Sequence, residues 1–461
     1  MNIQNPILNT DSYKFGHYLQ YPPGTRAISS YITTRGHSET AELVFFGLQM
    51  FLKEYLSKPF TAADIAEGEA VAALHGQPFN RAGWEHILNA HGGYFPLRVE
   101  AIAEGSLLRR DVPMVQVVNT DPQVPWLTSY VETAMLRAVW YPSTVASAAR
   151  RIRQTMLPFL EKSCEDPQAM SRTRLVDFGA RGVASLEQAG IGAAAHLVQF
   201  DQTDTLTGIL FAREYYGAEM AGFSVPASEH TTMTAWGQSD EAAAYANMID
   251  NFARFGAYSV VSDSYDINNA VAEIWGKQLQ AKVRAAGGTL IVRPDSGDPI
   301  DTPVQVVAQL AYAFGTHLNG KGYKVLDNSV RVLQADGLSL QDITMILGRL
   351  ESMGFSAENI AFGMGASQLQ KLSRDTYSFT MKGSARQEER GIWHDISRRP
   401  AMRREKLPNS GRQAVILEEG GLAPVRLEEL GARQNYLEPV WEDGKLLRDW
   451  DFEEIRARAS A

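Results

Sequence analysis

The chain has 461 residues, and its 53 acidic side chains outnumber its 44 lysines and arginines to give a formal net charge of −9. Hydrophobic residues form 44% of the chain and charged residues 21%, values typical of globular proteins, which argues against a disordered or fibrous chain. A net negative charge repels polyanions, so we expect no nucleic-acid partner and expect any anion site to be built from local cations. At roughly 150 residues per domain, the length predicts about two or three domains.

Cys164 is the only cysteine, so the chain can form neither an internal disulfide nor a cysteine zinc cluster. A reducing compartment is therefore the simpler expectation. Residues 1–13 are polar and lack the apolar core of a signal peptide, and no apolar stretch approaches the about 18 residues that a membrane helix needs. The sequence therefore predicts a cytoplasmic protein without a membrane partner.

The first 150 residues have the pattern of an α+β domain. Residues 43–56 have the spacing of an amphipathic helix, and residues 97–102 and 114–118 alternate polar and apolar side chains, as half-exposed antiparallel strands do. We expect residues 1–150, together with 385–461, to form this domain around a mainly antiparallel sheet.

From about residue 171 the pattern changes to short apolar or β-branched runs that alternate with helical segments. This alternation predicts repeated βα units and hence an α/β, barrel-like catalytic domain over residues 151–384. The predicted strands lie at 174–178, 198–200, 259–262, 290–293, 330–334, 359–362 and 377–381. The predicted helices between them lie at 190–197, 267–285, 303–314, 340–353 and 368–374.

Charged residues and glycines follow these strands. A single aspartate or glycine there is ordinary turn chemistry, but several together with arginines favour an active site, because the carboxyl ends of parallel strands share one face. The segments concerned are 177–181, 201–204, 263–266, 293–297, 336–337, 363–365 and Lys382.

Two of these turns suggest anion binding. Arg293 and Asp295 stand in a proline-stiffened turn suited to an anion beside a ribose or a metal ion, with a structural Arg–Asp bridge as an equal alternative. Gly365 and Ala366 stand at a predicted helix start whose backbone N–H groups could bind phosphate. Gln368 occupies the place of the third glycine of the dinucleotide fingerprint, so that motif is not present.

His230 has an acidic neighbour and nearby hydroxyls, which suit a base or a phosphate acceptor, while a helix cap with a surface histidine is the alternative. His196 lies on an apolar helix and is predicted to be a core residue. The basic segment 386–412 is either a solvated loop or a mobile cover over a polyphosphate. The sequence contains no Walker loop, His-Glu-x-x-His motif or Gly-x-Ser-x-Gly elbow, which argues against P-loop enzymes, zinc peptidases and α/β-hydrolases.

Six ordered motifs together resemble those of the nicotinamide phosphoribosyltransferase family, which is related to the nicotinate phosphoribosyltransferases. The resemblance implies transfer from 5-phosphoribosyl-1-pyrophosphate to nicotinamide, giving nicotinamide mononucleotide and pyrophosphate in NAD salvage. It also implies Mg²⁺ held mainly through the substrate phosphates, stimulation by ATP through a phosphohistidine, and a homodimer with shared active sites. The motifs lie at residues 9–14, 177–182, 203–205, 224–230, 261–266 and 293–297, and the likeness extends to about residue 412.

The resemblance also assigns residues to roles. It implies that His230 accepts the phosphate of ATP and is oriented by Glu229 and Asp263, and that Arg293 and Asp295 hold the ribose and phosphate side. The implied substrate-binding residues are Phe178, Tyr13 of the partner subunit, Arg181, Asp204, Asp11, Ser262, Asp336, Gly337, Gly365 and Ala366. The implied pyrophosphate-binding residues are Arg374, Thr380, Lys382, Lys406 and, from the partner, Arg35.

In the family pattern the pyridine ring lies between Phe178 and the partner's Tyr13. Arg181 lies at the edge of the ring, and Asp204 accepts from the amide. A carboxylate accepts from an amide NH₂ but repels a second carboxylate, so Asp204 favours nicotinamide over nicotinate. The family has glycine at the positions of Ala335 and Ala366, and alanine fits there if φ is negative. The segment 383–397 also diverges from the family pattern.

Two other functions stay open on the sequence alone. One is nicotinate phosphoribosyltransferase activity, which Asp204 disfavours. The other is a non-catalytic sensor that binds nicotinamide or a nucleotide, which would have no need of a pyrophosphate site.

Overall fold

The computed structural model describes residues 4–35, 42–335, 337–397 and 409–460. Two predicted site residues, Asp336 and Lys406, lie outside these ranges, as does part of the basic segment 386–412. The chain forms two compact units. The first comprises Met1–Ser147, Phe211–Glu219 and Leu372–Ala461, and the second comprises Ala148–Leu210 and Met220–Lys371. The domain boundaries inferred from the sequence, at residues 150 and 384, stay a prediction.

The described residues form the following strands in chain order. They are β1 (Ala27–Thr34), β2 (Leu43–Val44), β3 (Leu97–Ala101), β4 (Leu107–Leu108), β5 (Val115–Asn119), β6 (Leu175–Asp177), β7 (Gln202–Thr203), β8 (Ala257–Val261), β9 (Thr289–Arg293), β10 (Thr316–Leu318), β11 (Lys324–Leu326), β12 (Val330–Gln334), β13 (Ile360–Met364), β14 (Phe379–Gln387), β15 (Trp393–Asp395), β16 (Gln413–Glu418), β17 (Gly421–Arg426), β18 (Glu438–Glu442) and β19 (Lys445–Leu446).

The α-helices are α1 (Leu48–Phe51), α2 (Ala62–Leu74), α3 (Arg81–His91), α4 (Leu127–Tyr130), α5 (Glu132–Ser163), α6 (Pro167–Arg172), α7 (Leu186–Leu197), α8 (Leu206–Tyr216), α9 (His230–Thr234), α10 (Glu241–Phe252), α11 (Ile267–Asn269), α12 (Gln280–Ala285), α13 (Asp301–Phe314), α14 (Leu340–Ser352), α15 (Ala366–Leu369) and α16 (Phe452–Ser460). Short 3₁₀ helices lie at Pro6–Leu8, Ser12–Leu19, Gly179–Gly182, Gln238–Asp240, Ala253–Phe255, Ala357–Asn359, Arg374–Thr376 and Leu427–Glu429, and π-helical turns at Leu52–Leu56 and Ala270–Gln278. No helix in the described ranges has the length and apolar character needed to cross a membrane.

The first unit is built on an antiparallel sheet with the strand order β15-β14-β1-β5-β3-β18-β19. Along β3 buried and more exposed side chains alternate, because one face of the strand packs on the core and the other meets solvent. In the pair of β1 and β14, Tyr31 lies opposite Lys382 and Thr33 lies opposite Thr380. The predicted α+β architecture with a mainly antiparallel sheet is confirmed.

The second unit is built on a parallel sheet with the order β7-β6-β13-β12-β9-β8. Its two edge strands are both bridged, in parallel orientation, to the segment 223–227: Gln202 pairs with Phe223, and Ser259 pairs with Ala227. The bridges join the two edges of the sheet through one further short segment. The predicted barrel-like arrangement is therefore confirmed.

Successive side chains of a barrel strand point alternately to the hydrophobic core outside the barrel and to the cavity inside it. On β9, Leu290 and Val292 are fully buried in the core cluster beneath the surrounding helices. Ile291 and Arg293, which point to the opposite face, line a cavity inside the barrel. Arg293 is the last residue of its strand, so its charged side chain lies at the carboxyl end of the barrel, on the side of the cavity.

Four local predictions are wrong. The predicted helix 368–374 is absent after Leu369, where α15 ends. Residues 198–200 are a buried turn after α7 rather than a strand, because an apolar run does not distinguish a strand from the end of a buried helix. The predicted helix 43–56 begins only at Leu48, since Leu43–Val44 pairs with β4 and Gly47 takes a φ of +105°. Residues 379–381 belong to β14 of the antiparallel sheet, and not to the barrel.

Candidate active site

The candidate site of the second unit is a cavity of about 160 Å³ inside the barrel. At the carboxyl end of the strands it is lined by Phe178, Asp204 and Arg293. At the amino end it is lined by Arg174 and Arg331, whose pKa values burial lowers, that of Arg174 to about 10. The cavity therefore combines an aromatic face, a carboxylate and positive charge.

Phe178 directly follows β6, and its backbone N–H donates to the carbonyl oxygen of Met364 at 2.9 Å. The ring packs on Gly363 of the neighbouring strand β13. A Cβ on Gly363 would lie 2.3 Å from Cε2 of Phe178, so only glycine leaves room for the ring in this position. Gly363, which lies in one of the glycine-containing segments after the predicted strands, therefore makes room for the aromatic ring.

Asp177 is a site residue whose role the sequence did not reveal. Its buried carboxylate accepts from the N–H of Gly179 at 2.7 Å through Oδ1, and from the hydroxyl of Thr203 at 2.9 Å through Oδ2. A buried carboxylate is stable only when it is paired in this way. Asp177 therefore fixes the loop that carries Phe178 against the strand that leads to Asp204. The one feature of the sequence that pointed to Asp177 was its place in the same motif as Phe178.

Asp204 follows β7 and lies exposed at the rim of the cavity, where Ser224 donates a hydrogen bond to its Oδ1. Loss of water around the carboxylate raises its pKa, which the hydrogen bond from Ser224 opposes. The negative charge of Asp177 raises the pKa further, and the positive charge of Arg293 lowers it. The carboxylate is thus held at the cavity mouth with one hydrogen-bond donor from the protein.

Arg293 and Asp295 lie side by side but are not hydrogen bonded. The distance from Nε of Arg293 to Oδ1 of Asp295 is 3.6 Å, and that Nε is buried without a hydrogen-bond partner. A structural bridge would use this donor, whereas in this structure it is free for a ligand. The geometry favours the anion-binding interpretation of this turn over the structural one.

His230 is the first residue of α9, and Glu229 is its N-cap. Its Nε2 lies 3.0 Å from Oδ1 of Asp263, and its Nδ1 lies 3.9 Å from Oδ2 of Asp295. The carboxylate of Asp263 can only accept, so Nε2 carries the proton and the lone pair of Nδ1 is free in the neutral ring. The side chain is 45% exposed, which gives a reactant access to Nδ1. The histidine starts a helix, as the cap interpretation has it, and it has the neighbouring carboxylate that the acceptor interpretation requires. Its role as a base or phosphate acceptor stays a prediction.

His196 is fully buried, as predicted, and it joins two parts of the site. Its Nε2 donates to the carbonyl of Gln202 at 2.9 Å, and its Nδ1 accepts from the amide of Gln368 at 2.7 Å. Gln202 precedes Asp204 by two residues, and Gln368 lies in α15, which begins at Ala366. The His196–Gln368 pair therefore sets the end of β7 relative to the start of α15.

The remaining predicted site residues of the second unit differ in their hydrogen bonds, backbone conformation and exposure. The hydroxyl of Ser262 is buried, where it donates to Val260 and accepts from Trp275, so its hydrogen bonds are made within the protein. Gly337 has a φ of +58°, which favours glycine. Among the described non-glycine residues only Asp111, Ser378 and Asp443 have positive φ, so Ala335 and Ala366 sit without backbone strain. Arg181 is exposed in the 3₁₀ turn after Phe178.

The first unit gathers the cations that the resemblance assigns to pyrophosphate. Thr380 and Lys382 lie two residues apart on β14 and share one of its faces. Loss of water lowers the pKa of Lys382, an effect that Glu132 opposes. The positive charges of three neighbours, Arg35, Lys14 and Arg374, lower it further.

Lys14 is one of these cations, and the sequence pattern gave it no role. It is buried and pairs with Glu132, its Nζ lying 2.7 Å from Oε2. Its signal was its place beside Tyr13 in the first motif. Tyr13 itself is 59% exposed, and Asp11 accepts from the hydroxyl of Thr133 at 2.6 Å.

Comparison with known proteins gives matches along the whole chain. Residues 173–438 match the nicotinate phosphoribosyltransferase (NAPRTase) family, and residues 5–99 match the N-terminal domain of nicotinamide phosphoribosyltransferase. A nicotinamide phosphoribosyltransferase of Xanthomonas campestris is 45% identical over 100% of this chain and 99% of its own length. One of Acinetobacter baylyi is 30% identical over 98% of this chain and 97% of its own.

Solved structures agree in fold. A nicotinate-nucleotide pyrophosphorylase from Pyrococcus furiosus matches with a TM-score of 0.62 and 17% identity, covering 100% of this chain and 96% of that one. Human nicotinic acid phosphoribosyltransferase matches with a TM-score of 0.54 and 18% identity, covering 98% of this chain and 92% of that one. At these identities the likeness establishes the fold alone.

The barrel and the matched family models define the class of the protein: it is a phosphoribosyltransferase, and therefore an enzyme. The relatives that match it from end to end narrow this further. The chain belongs to the nicotinamide phosphoribosyltransferase family, which confirms the resemblance found in the sequence.

Proposed function

We propose that the enzyme transfers the phosphoribosyl group of 5-phosphoribosyl-1-pyrophosphate to nicotinamide, giving nicotinamide mononucleotide and pyrophosphate in NAD salvage. The ring nitrogen of nicotinamide forms a bond to the anomeric carbon while the bond from that carbon to pyrophosphate breaks. The observation that carries the proposal is the shared cavity of Phe178 and Asp204, which offers a flat apolar face beside a hydrogen-bond acceptor. The names of the two relatives that match over the full length support the same reaction.

Recognition of the base follows from the chemistry of these two residues. The ring of Phe178, seated on Gly363, would stack on the pyridine ring and hold it face-on. Asp204 would accept a hydrogen bond from the amide NH₂ of nicotinamide. The carboxylate of nicotinate would meet the charge of Asp204 instead, and like charges at close range are repulsive. The proposed substrate is therefore the amide rather than the acid.

Positive charge would stabilise the leaving group. The anomeric carbon becomes oxocarbenium-like in the transition state while negative charge grows on pyrophosphate, so fixed donors lower the barrier. We assign the buried Nε of Arg293 to the ribose and phosphate side, because it lacks a partner in the protein. We assign Arg35, Arg374 and Lys382 of the first unit to pyrophosphate, as the resemblance implies. Their positive charges repel one another, which lowers the pKa of Lys382, and a bound anion would relieve this repulsion.

Mg²⁺ is the expected cofactor, and it would be held mainly by the phosphates of the substrate. The residues present fit that role, because Asp263 and Asp295 supply carboxylates around His230, and Mg²⁺ prefers oxygen ligands. When bound, the ion supplies charge to stabilise the leaving pyrophosphate.

We also propose that ATP stimulates the reaction by phosphorylating His230. The γ-phosphoryl group would move from ATP to Nδ1, forming an N–P bond and releasing ADP. The hydrogen bond from Nε2 to Asp263 supports this choice of nitrogen, since it leaves the Nδ1 lone pair as the nucleophile. The added phosphate would bring negative charge and acceptor oxygens next to Asp295, and these oxygens would help to hold Mg²⁺.

The phosphorylation step is tested by incubating the enzyme with ATP labelled in the γ-phosphate and measuring acid-labile label on the protein. His230→Ala should carry no label, while His75→Ala, which removes an exposed histidine at the end of α2, should retain it. Label of equal amount on the His230→Ala variant would show that another residue is the acceptor.

The reaction itself is tested by incubating the enzyme with nicotinamide, 5-phosphoribosyl-1-pyrophosphate and Mg²⁺, with and without ATP, and measuring nicotinamide mononucleotide. We expect product under both conditions and more of it with ATP. No product at high enzyme concentration under either condition would refute the proposal.

Nicotinate phosphoribosyltransferase activity is the second candidate, because residues 173–438 match the family of that name. The exposed carboxylate of Asp204 argues against it, because this carboxylate would repel the carboxylate of nicotinate. Membership of an enzyme family also favours catalysis over the non-catalytic sensor that the sequence left open.

We further propose that the enzyme works in the cytoplasm as a homodimer in which Tyr13 of one subunit completes the site of the other. The resemblance also assigned Arg35 to the partner, but in the structure its charge helps to lower the pKa of Lys382 in its own chain, so we place Arg35 in the same chain's pyrophosphate cluster. In the single chain Tyr13 is 59% exposed, so its ring is available for contact with a second subunit.

A further inference from the structure

Three titratable side chains of the first unit converge on one point, and the reaction does not use them. His86 lies within α3, His91 is the last residue of that helix, and Asp121 follows β5. Nε2 of His86 lies 2.6 Å from Oδ2 of Asp121, and Nε2 of His91 lies 2.8 Å from the same oxygen. Within the described ranges this is the one group of three such side chains whose ligand atoms all lie within 4.8 Å of one another.

The fold fixes the position of this group, which we call the His86–His91–Asp121 cluster. The helix ends at His91 because Gly92 takes a φ of +62°. The other carboxylate oxygen of Asp121, Oδ1, accepts from the N–H of Gln123 at 2.8 Å, and the side chain of Asn119 donates to the Asp121 carbonyl at 2.8 Å. Hydrogen bonds of this kind orient metal ligands, and in this cluster they leave Oδ2 aimed at both imidazoles.

Two interpretations of the cluster are chemically distinct. In the first, each imidazole donates its Nε2 proton to Asp121, and the cluster is a hydrogen-bonded clip. In the second, a metal ion replaces both protons. Two imidazole nitrogens and one carboxylate oxygen are a ligand set that suits Zn²⁺ and related ions, while Mg²⁺ and Ca²⁺ prefer oxygen ligands alone.

A metal ion fits the cluster after a small movement of the side chains, and the cluster is open to solvent. Ligands at about 2.0 Å from a tetrahedral Zn²⁺ stand roughly 3.3 Å apart, so the observed separations need to open by roughly 0.5–0.7 Å, within reach of side-chain rotation. The side chains of His86 and His91 are 26% and 24% exposed, so an ion can enter and water can complete the coordination. The carboxylate of Asp121 is only 10% exposed, and a poorly hydrated anion binds a cation more strongly.

We propose that His86, His91 and Asp121 form a binding site for a divalent first-row transition ion, with water in the remaining positions and Zn²⁺ as the test ion. A neutral imidazole binds the ion through Nε2 as the tautomer that carries its proton on Nδ1, and an imidazolium ring would release its second proton to solvent. The ion joins the end of α3 to the turn after β5. It stabilises the first unit and takes no part in the transfer reaction.

The test uses the full-length enzyme, free of a polyhistidine tag and stripped of metal, titrated with Zn²⁺ by calorimetry. We expect one equivalent per chain, retained after gel filtration, and a higher melting temperature with the ion. His86→Gln with His91→Gln should abolish both effects. His75→Ala, which removes an exposed histidine at the end of α2, is the matched control and should keep both.

Two further measurements make the result decisive. Asp121→Asn retains both histidines but removes the ligand charge, so it should bind Zn²⁺ at least tenfold more weakly while circular dichroism reports whether it is folded. His230→Ala should still bind one equivalent, since the site is not at His230. No stoichiometric binding by the wild type, or equal binding by the double histidine variant, would overturn the proposal and leave the hydrogen-bonded clip.

Discussion

Asp204 is the side chain on which the choice of base depends. Replacing it by asparagine removes the negative charge but keeps the size, so the repulsion of nicotinate disappears. We expect the ratio of kcat/KM for nicotinamide to that for nicotinate to fall by about tenfold or more, the equivalent of about 1.4 kcal/mol. Steady-state kinetics with both bases measures it. Asp250→Asn, at a surface ion pair with Lys282, is the control and should leave the ratio unchanged.

The raised pKa of Asp204 adds a dependence on pH. A carboxyl group with a raised pKa takes up its proton at a higher pH than usual, and the protonated form no longer repels nicotinate. The nicotinamide preference should therefore weaken as the pH is lowered, and it should do so at a higher pH than an aspartate with an ordinary pKa would cause. Comparing the kinetic ratio of the wild type with that of Asp204→Asn isolates the effect, because the variant has no carboxyl group to titrate. An equal slope in both proteins would assign the titration to another group.

Gly363 makes the aromatic half of the same pocket possible. In Gly363→Ala the new Cβ would collide with the ring of Phe178, which has to move. Overpacking of this kind costs about 1–3 kcal/mol, and at this position we expect it as a higher KM for nicotinamide. Gly348→Ala on α14 is the control, because its Cβ meets open space, and it should leave that KM unchanged while raising helix stability by up to about 1 kcal/mol. An unchanged KM in Gly363→Ala would show that the ring has no part in binding the base.

Among the elements, the pair of β7 and α15 depends on the contact between His196 and Gln368. Gln368→Ala removes the hydrogen bond and a buried side chain, at an expected cost of about 1–3 kcal/mol. The melting temperature should fall, and the KM for 5-phosphoribosyl-1-pyrophosphate should rise, since α15 begins at the predicted phosphate-binding Ala366. Gln370→Ala, two residues on and exposed, is the matched control and should change neither value. A lower melting temperature with an unchanged KM would show that the contact is structural only.

Local pattern predicted most elements of the barrel but not which sheet each strand joins. The run 290–293 was recognised as a strand from its own residues and is found at Thr289–Arg293. The strand that begins at Phe379 looked the same locally, yet it pairs antiparallel with β1, more than 300 residues away in the chain. Such pairing is decided by distant partners, which a single sequence does not display.

The same distinction holds for the site. Phe178, Asp204 and Arg293 were predictable because each lies at the end of a strand or directly after one, and the carboxyl ends of parallel strands meet. The roles of Asp177 and Gln368 were not, since their partners Thr203 and His196 lie 26 and 172 residues away.

For the molecule as a whole, the proposed homodimer predicts that two variants, each without ATP-stimulated activity, restore that activity when they are combined. Tyr13→Ala damages the site of the partner subunit, and His230→Ala damages the subunit's own site. When the two are mixed and allowed to exchange subunits, half of the dimers are hybrids with one intact site. The ATP-stimulated activity should therefore reach about a quarter of the wild-type value. Activity no greater than the sum of the separate variants would show that each chain builds its site alone.

The net charge of −9 is consistent with an enzyme that binds a pyrophosphate, because the cations that matter are local. Arg35, Arg374 and Lys382 are close enough to depress one pKa, and Arg293 keeps an unpaired donor in its cavity. The protein as a whole repels polyanions, while the positive charge in each unit favours an anion beside it.

Selective transfer of the phosphoribosyl group to nicotinamide rather than nicotinate can be measured in a competition assay. Equal concentrations of nicotinamide and nicotinate are supplied to the enzyme with limiting 5-phosphoribosyl-1-pyrophosphate, Mg²⁺ and ATP, and the two mononucleotides are separated and measured. We expect nicotinamide mononucleotide to form in large excess over nicotinate mononucleotide. Nicotinate mononucleotide in equal or greater amount would contradict this expectation.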